Sequence, residues 1–228
     1  MYELQALHLA EVFFCEVGLN NDMTNFADSR ISLAGVVLAG GRSLRLGQDK
    51  LRLKIYGLDA PDLLAQSVAL LSRYCGQVLV ACRQGQEFPE YSCVYDEHEG
   101  LGPIAGLQAA MLATRLPLLV ISCDLPFMDD ATIQRLIAAR ASRPENTIMT
   151  TFRQAETGFI EALTSIYEPD CLALFTQAIG VGQRQINLII PPSQRHDIVY
   201  AKPSARPFFN INYPEDMKQA HIWANSPS

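Results

Sequence analysis

Three cations follow a double glycine in the stretch "LAGGRSLRLGQDK", where Arg42, Arg45 and Lys50 come after Gly40 and Gly41. Glycine lets a backbone approach a ligand with no Cβ in the way. Successive amide N–H groups in such a turn form an anion-binding nest. Arg grips phosphate oxygens with a planar fork, and Lys supplies a mobile point charge. The chemistry these types describe is a cradle for a polyphosphate. Taken singly, Arg42 or Arg45 reads as a solvated surface cation; the whole string does not. The spacing is neither G-x-x-x-x-G-K-[ST] nor G-x-G-x-x-G, because Gly35, Gly40, Gly41 and Gly47 fit neither pattern.

Further polar residues stand out downstream. Asp96 closes "YSCVYD", and "GPIAG" follows at Gly102, Pro103 and on to Gly106. Asp124 comes directly after an apolar run in "LLVISCDLPFMDD". A carboxylate there can bridge a divalent cation to phosphate, since Mg²⁺ uses one or two carboxylates and takes phosphate oxygens and waters for the rest. Asp129 and Asp130 read more naturally as helix caps. Late in the chain, "FFNINYPEDM" places Asn210 and Asn212 two residues apart, on one face of an extended segment. Asn212 alone also reads as an Asx turn ahead of a helix starting at Pro214. Glu97, His98 and Glu99 read as solvated loop residues.

These residues need elements to position them. Strands are expected at 33–39, 77–82, 91–96, 116–122, 146–152, 159–167 and 195–201. Helical spacing or caps mark 61–74, 102–115, 129–140, 170–179 and 214–224. Strands alternating with helices predict an α/β fold of three layers, a mostly parallel sheet with helices on both faces. Ligands of such folds bind beyond the carboxyl ends of the strands. Gly40 to Lys50, Asp96, Gly102 to Gly106 and Asp124 all fall there. Residues 1–31 differ in character and are expected to be a disordered or loosely packed extension, with Met23 as a second plausible start. The domain proper is expected at 32–228, in two halves at about 32–145 and about 146–228, which the resemblance described below makes a nucleotide half and an acceptor half.

Composition narrows the class. The 228 residues are 49% apolar, enough for one sizeable core. No apolar run reaches the roughly 20 residues of a bilayer span, and the first residues lack the basic start of a secretory signal. The expectation is a cytoplasmic protein that binds neither membrane nor nucleic acid, the latter because the net charge is −6. Six cysteines show no C-x-x-C pair, which argues against a zinc site or redox dithiol.

With these motifs in place, the chain resembles the MobA-like nucleotidyltransferases, and within them the molybdenum cofactor guanylyltransferases. The family string L-A-G-G-x-S-x-R-M-G-x-D-K is met throughout except that Leu46 replaces Met. The resemblance extends over roughly residues 33–225 and implies a Rossmann-like nucleotidyltransferase fold. It implies transfer of GMP from GTP to molybdopterin or Mo-molybdopterin, with Mg²⁺ and release of pyrophosphate. Leu38, Ala39, Gly40, Gly41, Lys50, Asp96, Gly102, Pro103 and Asp124 would bind the nucleotide. Lys50, Arg45 and Asp124 would be catalytic. Asp124 and Asn212 would hold the metal, and Asn210, Asn212, Glu161 and Arg184 would meet the acceptor. Asp96 would read guanine, because a carboxylate accepts from both N1–H and N2–H and cytosine offers no such pair.

The match weakens over 150–200. Where relatives carry E-P-L or P-T-[IL]-A, this chain has "GFIEALTSIYEP", and "KIYGLDAPDLL" is longer than the corresponding loop. Two alternatives therefore stand beside the first reading: a cytidylyltransferase acting on the same cofactor, and a non-catalytic nucleotide-binding accessory protein for molybdoenzyme maturation. Expected partners are GTP, the molybdopterin acceptor, molybdenum-insertion proteins and apo-molybdoenzymes. A monomer is expected.

Overall fold

The computed structural model describes residues 33–39, 49–96, 98 and 100–225. Among them a seven-stranded sheet forms the middle layer. Its strands are β1 (Ala34–Leu38), β2 (Gln77–Arg83), β3 (Cys93–Asp96), β4 (Leu118–Ser122), β5 (Met149–Gln154), β6 (Ile160–Tyr167) and β7 (Arg195–Tyr200). The order across the sheet is β3-β2-β1-β4-β6-β5-β7. The pairs β3·β2, β2·β1, β1·β4 and β5·β7 are parallel; β6 runs antiparallel to both β4 and β5. All seven expected strands are present, with ends shifted by up to three residues. The expectation for 1–31 lies outside the described residues.

Among the described residues six helices accompany these strands: α1 (Leu63–Leu71), α2 (Pro103–Thr114), α3 (Asp130–Ala141), α4 (Cys171–Gly180), α5 (Ile186–Ile189) and α6 (Pro214–Ala224). The caps follow side-chain chemistry. Asp62 accepts from the Ala65 N–H at 2.8 Å and Asp129 from the Thr132 N–H at 2.8 Å, satisfying donors that an uncapped first turn would leave orphaned. Short α5 and three-residue 3₁₀ turns at 50–52, 192–194, 202–204 and 206–208 escape periodicity because they are too short to show any.

Both faces of the sheet are buried, so its central strands read as continuous apolar runs. On one face Val37, Leu119, Ile121, Phe152 and Ile166 pack with Leu64, Leu71, Ile133 and Leu136 of α1 and α3. On the other, Val36, Val120, Met149 and Tyr167 pack with Ile104, Leu107, Cys171 and Phe175 of α2 and α4. The third cluster is small and sits to one side: Leu53, Ile55, Phe127, Ile211 and Ala220, with Trp223 of α6 against them. Phe127 and Phe209 lie 5.7 and 4.9 Å from Trp223 by ring centroid. This cluster ties together the loop after Lys50, the loop after Asp124 and the segment carrying Asn210 and Asn212.

Candidate active site

The parallel strands end together. Leu38 stands opposite Ala81 and Ser122, and Arg83 opposite Asp96, so four strand termini share one rim. A cavity of about 470 Å³ opens on that rim. Leu38, Lys50, Arg83, Asp96, Ser122 and Asp124 line it. Gly102, Pro103 and Gly106 of the α2 start close one side.

Asp124 follows β4 and is 7% exposed. Lys50 Nζ lies 2.6 Å from its Oδ2, and the Ser122 hydroxyl donates to Oδ1. Lys50 begins a 3₁₀ turn fixed by Asp49, whose carboxylate accepts from the Leu51 N–H at 3.1 Å, while Leu51 is buried. Arg52 reaches Asp62 and Glu90 and pins the other end of that turn. The Lys50 backbone is therefore held from both sides, and its side chain is already ordered against Asp124, so little further entropy is lost when it meets an anion.

Asp96 sits across the rim. Its carboxylate accepts from the His98 N–H at 2.7 Å, an Asx turn that orients the group at the end of β3. The "GPIAG" string is the beginning of α2 rather than a free turn. Gly102 caps the helix at φ +68°, ψ −149°, a region open essentially to glycine alone. Pro103 is pre-set for the first helical position. At Gly106 a Cβ would come 3.2 Å from that of Ala81, so this glycine lets the helix lie close to β2. The positive end of α2 faces the cavity, where it favours negative charge.

Ala39 is fully buried behind Leu38 and holds the rim through its N–H to the Ala81 carbonyl at 3.0 Å. Gly40, Gly41 and Arg45 lie outside the described residues. Asn210 and Asn212 are not on a strand, yet Ile211 between them is buried and donates its N–H to the Asp124 carbonyl at 3.0 Å. The pair is thus anchored beside Asp124 and turned away from the small core. The expected Asx turn at Asn212 does not form the helix start. Asp216 does, accepting from the N–H groups of Asn212 at 2.9 Å and Tyr213 at 2.8 Å; a carboxylate in the first helical turn also suits the dipole.

Glu161 and Arg184 do not line the cavity. Glu161 sits where β6 bulges: Thr151 faces Ser165 but Arg153 faces Ile160. Its carboxylate receives the Tyr200 hydroxyl, and burial pushes its pKa up against that bond's opposite pull. Arg184 is exposed in the connection between α4 and α5. The sequence reading omitted Arg83, Cys82, Ser122 and Leu163, which line the cavity. Arg83 had a visible signal, being the last residue of a buried strand whose carboxyl end was already expected to face a ligand. Cys82 is buried and its thiol is pushed up to about 12, so it stays protonated as a packing group.

Residues 35–196 match the family model described as "MobA-like NTP transferase domain". A protein of Chloroflexus aggregans named "Probable molybdenum cofactor guanylyltransferase" is 31% identical over 83% of this chain and 95% of its own length. The chain belongs to the MobA-like NTP transferase family. A "Molybdenum cofactor biosynthesis bifunctional protein" of Synechocystis sp. is 32% identical over 84% of this chain and 54% of its own. The solved structure of a molybdopterin-guanine dinucleotide biosynthesis protein A from Archaeoglobus fulgidus has TM-score 0.67 and 22% identity, covering 83% of this chain and 97% of that one. At that identity the likeness concerns the fold.

As a member of this family the chain is a nucleotidyltransferase enzyme, a class that works with a divalent cation. The donor set fits such a cation. Among the described residues no cluster of three or more His, Cys, Asp or Glu forms a protein cage. What the cavity offers is one buried carboxylate with a hydroxyl beside it, the pattern of an ion that takes most of its ligands from phosphate and water. Among the described residues no helix is long and apolar enough to cross a membrane.

Proposed function

We propose that the chain transfers GMP from GTP to molybdopterin or Mo-molybdopterin, releasing pyrophosphate and forming the guanine dinucleotide cofactor. The observation that carries the reading is the pairing of Lys50 with Asp124 at one end of a cavity that has Asp96 at the other. Their strands are three spacings apart, roughly 14 Å at the usual strand separation. That accommodates a base at Asp96 and phosphates at Lys50. The name carried by the Chloroflexus relative supports the acceptor.

The residue roles in this reading are those the family resemblance implies, and the charge and position of Lys50, Asp96 and Asp124 support them. Lys50 and Arg45 offset the charge of the triphosphate. The backbone from Leu38 through Ala39, Gly40 and Gly41 carries the nucleotide, with Gly102 and Pro103 closing over it. Asp124, with Asn212, holds Mg²⁺, which when bound supplies charge neutralisation at the phosphates. Asp96 accepts from N1–H and N2–H of guanine. Asn210 and Asn212 beside Asp124 receive the acceptor, and Glu161 and Arg184 meet the part of it that extends beyond the nucleotide cavity. The attacking group is a phosphate oxygen, already ionised, so no side chain has to remove a proton. The work left to the protein is alignment and electrostatic stabilisation. Lys50 can exchange its contact with Asp124 for a phosphate, which would free Asp124 Oδ2 as a ligand. The setting is the cytoplasm, with a monomer passing its product towards apo-molybdoenzymes.

The test is pyrophosphate release from Mg²⁺ and molybdopterin with GTP, CTP and ATP supplied separately. Release with GTP alone supports the reading. Release with CTP alone keeps the chemistry and overturns the role of Asp96. GTP binding without release under any of the three overturns catalysis in favour of an accessory protein.

A further inference from the structure

We propose that Arg83 reads the O6/N7 edge of the guanine base and, with Asp96, makes the base pocket two-sided. The proposal rests on the guanylyl reading above and names how that site selects its nucleotide.

The starting observation is an unmet donor. Arg83 Nε is buried and has no hydrogen-bond partner. A buried polar group left unpaired is costly, so a partner supplied by a ligand is the economical explanation. Arg83 lines the cavity where such a ligand would lie.

The backbone aims the side chain. Arg83 is the last residue of β2, and its N–H donates to Gln86 Oε1 at 3.0 Å while its carbonyl accepts from the Gln86 N–H at 3.1 Å. These two bonds close the turn after the strand and leave the side chain as the part that can move. Strand alternation puts Arg83 on the same face as Ala81, the face packed against α2. Beyond Ala81 lies the close approach of Gly106, so Arg83 is directed over the first turn of that helix. A cation beside a helix N-terminus is unfavourable unless electron-rich atoms come between them. The O6 and N7 atoms of guanine are such acceptors.

The register decides between base and phosphate. Arg83 and Asp96 are direct cross-strand partners and share a face. Their strands are one spacing apart, about 4.8 Å. Arg83 is two spacings from the strand that leads to Asp124 and one from the residue expected to read N1 and N2. Guanine presents N1–H and N2–H₂ donors beside O6 and N7 acceptors. A carboxylate and a guanidinium side by side complement that donor–acceptor sequence, and Arg is the side chain whose fork fits O6 and N7 together. Adenine places a donor at position 6 against Arg83, and cytosine has no N7.

The probes are GTP and 7-deaza-GTP, which differs at N7 alone. Affinities of both are measured by calorimetry for the full chain, for Arg83→Gln and for Arg83→Lys, with thermal unfolding as a check on folding. The wild type is expected to bind GTP at least about fivefold more tightly than 7-deaza-GTP, from loss of half of a bidentate contact. In Arg83→Gln the ratio should fall to near one, with GTP weakened roughly tenfold or more. Arg83→Lys should keep part of the GTP affinity and lose most of the ratio, because it keeps charge and loses the fork. The ratio within each variant is independent of how much protein is folded. Equal affinities in the wild type, or an undiminished ratio in Arg83→Gln, overturn the role of Arg83 while leaving GTP as substrate. No GTP binding by the wild type overturns the guanylyl reading itself.

Discussion

The sheet has two regions that use polar residues in opposite ways. In β3-β2-β1-β4 the strand interiors are apolar and the polar groups stand at the carboxyl ends: Arg83, Asp96, Ser122 and then Asp124. In β6-β5-β7 they lie within the strands and bond to one another. Ser165 donates to the Thr151 hydroxyl at 2.8 Å, Thr151 to the Glu161 carbonyl at 3.2 Å, and Tyr200 to the Glu161 carboxylate. The first region presents its donors and acceptors to a cavity; the second uses most of them to stabilise a bulged antiparallel strand. A parallel register brings strand ends together, so chemistry gathers on the rim. A bulge shifts the facing of side chains and needs internal bonds to hold it.

The largest effect that would break this comparison is expected at Lys50. Lys50→Ala should lower turnover by about 10²–10³, the usual loss when one charge-stabilising donor is removed. The fold should survive with some loss of stability from the unpaired Asp124, because the 3₁₀ turn is held by Asp49 and Leu51 rather than by the lysine side chain. Near-normal pyrophosphate release would show that the rim does not concentrate the chemistry.

A second substitution tests the opposite end of the sheet. Glu168 is 6% exposed and takes a bidentate contact from Arg140 at 2.7 and 3.0 Å, with Arg143 at 3.3 Å. Tyr167 beside it pairs with Leu118 at the start of β4, away from the cavity. Glu168→Ala should destabilise by about 3 kcal/mol, since it leaves partly buried guanidinium charge without its partner. GTP affinity of the folded fraction should be unaltered. A matching loss of affinity in denaturant-free titrations would mean that the two ends of the sheet are coupled.

The first region was largely legible in the sequence, and the reason is physical. Strand–helix alternation fixes a parallel sheet, and the ligand rule then selects the residues after each strand, so Asp96, Gly102 and Asp124 could be placed on one rim from their positions alone. Arg83 was equally accessible by that rule but sits inside "ACRQGQ", where a lone Gly85 and no acid resemble no phosphate or metal motif. The second region was less legible. The antiparallel direction of β6 depends on the short connection from β5, and the bulge at Glu161 has no period to reveal it. The Asn210–Asn212 segment obeys strand alternation without being a strand, since a single backbone bond from Ile211 to Asp124 fixes it. Its helix is started by Asp216, three residues past the tyrosine that precedes Pro214, and not by the asparagine the motif suggests.

Gly102 sharpens the account of the rim. Its φ of +68° with ψ −149° admits alanine only under strain, which costs about 1–3 kcal/mol. Gly102→Ala should lower stability by that amount and weaken GTP binding, because relief of the strain moves the positive end of α2 from the cavity. Gly57→Ala, also at positive φ but away from the cavity, should lose stability without loss of GTP affinity. Equal binding losses in the two variants would remove Gly102 from the rim.

The smallest expected effect separates burial from function in the second region. Burial raises the Glu161 pKa above the ordinary 4.5, with the Tyr200 bond opposing it. The folded state therefore holds the proton more tightly than the unfolded chain does. That contribution is fully present below about pH 4.5 and is lost as the pH rises through the folded value. Glu161→Gln mimics the neutral acid and can still accept from Tyr200. Its melting temperature should equal that of the wild type near pH 4 and exceed it by about 2 °C at pH 8. GTP affinity should be unchanged at both pH values, because Glu161 lies off the cavity. The KM for molybdopterin should rise, as the acceptor role proposed for Glu161 requires; a purely structural glutamate would leave it unchanged. A variant that melts lower at pH 8 would show that the Tyr200 bond outweighs the cost of burying the charge, and that the second region's polar groups stabilise more than they strain.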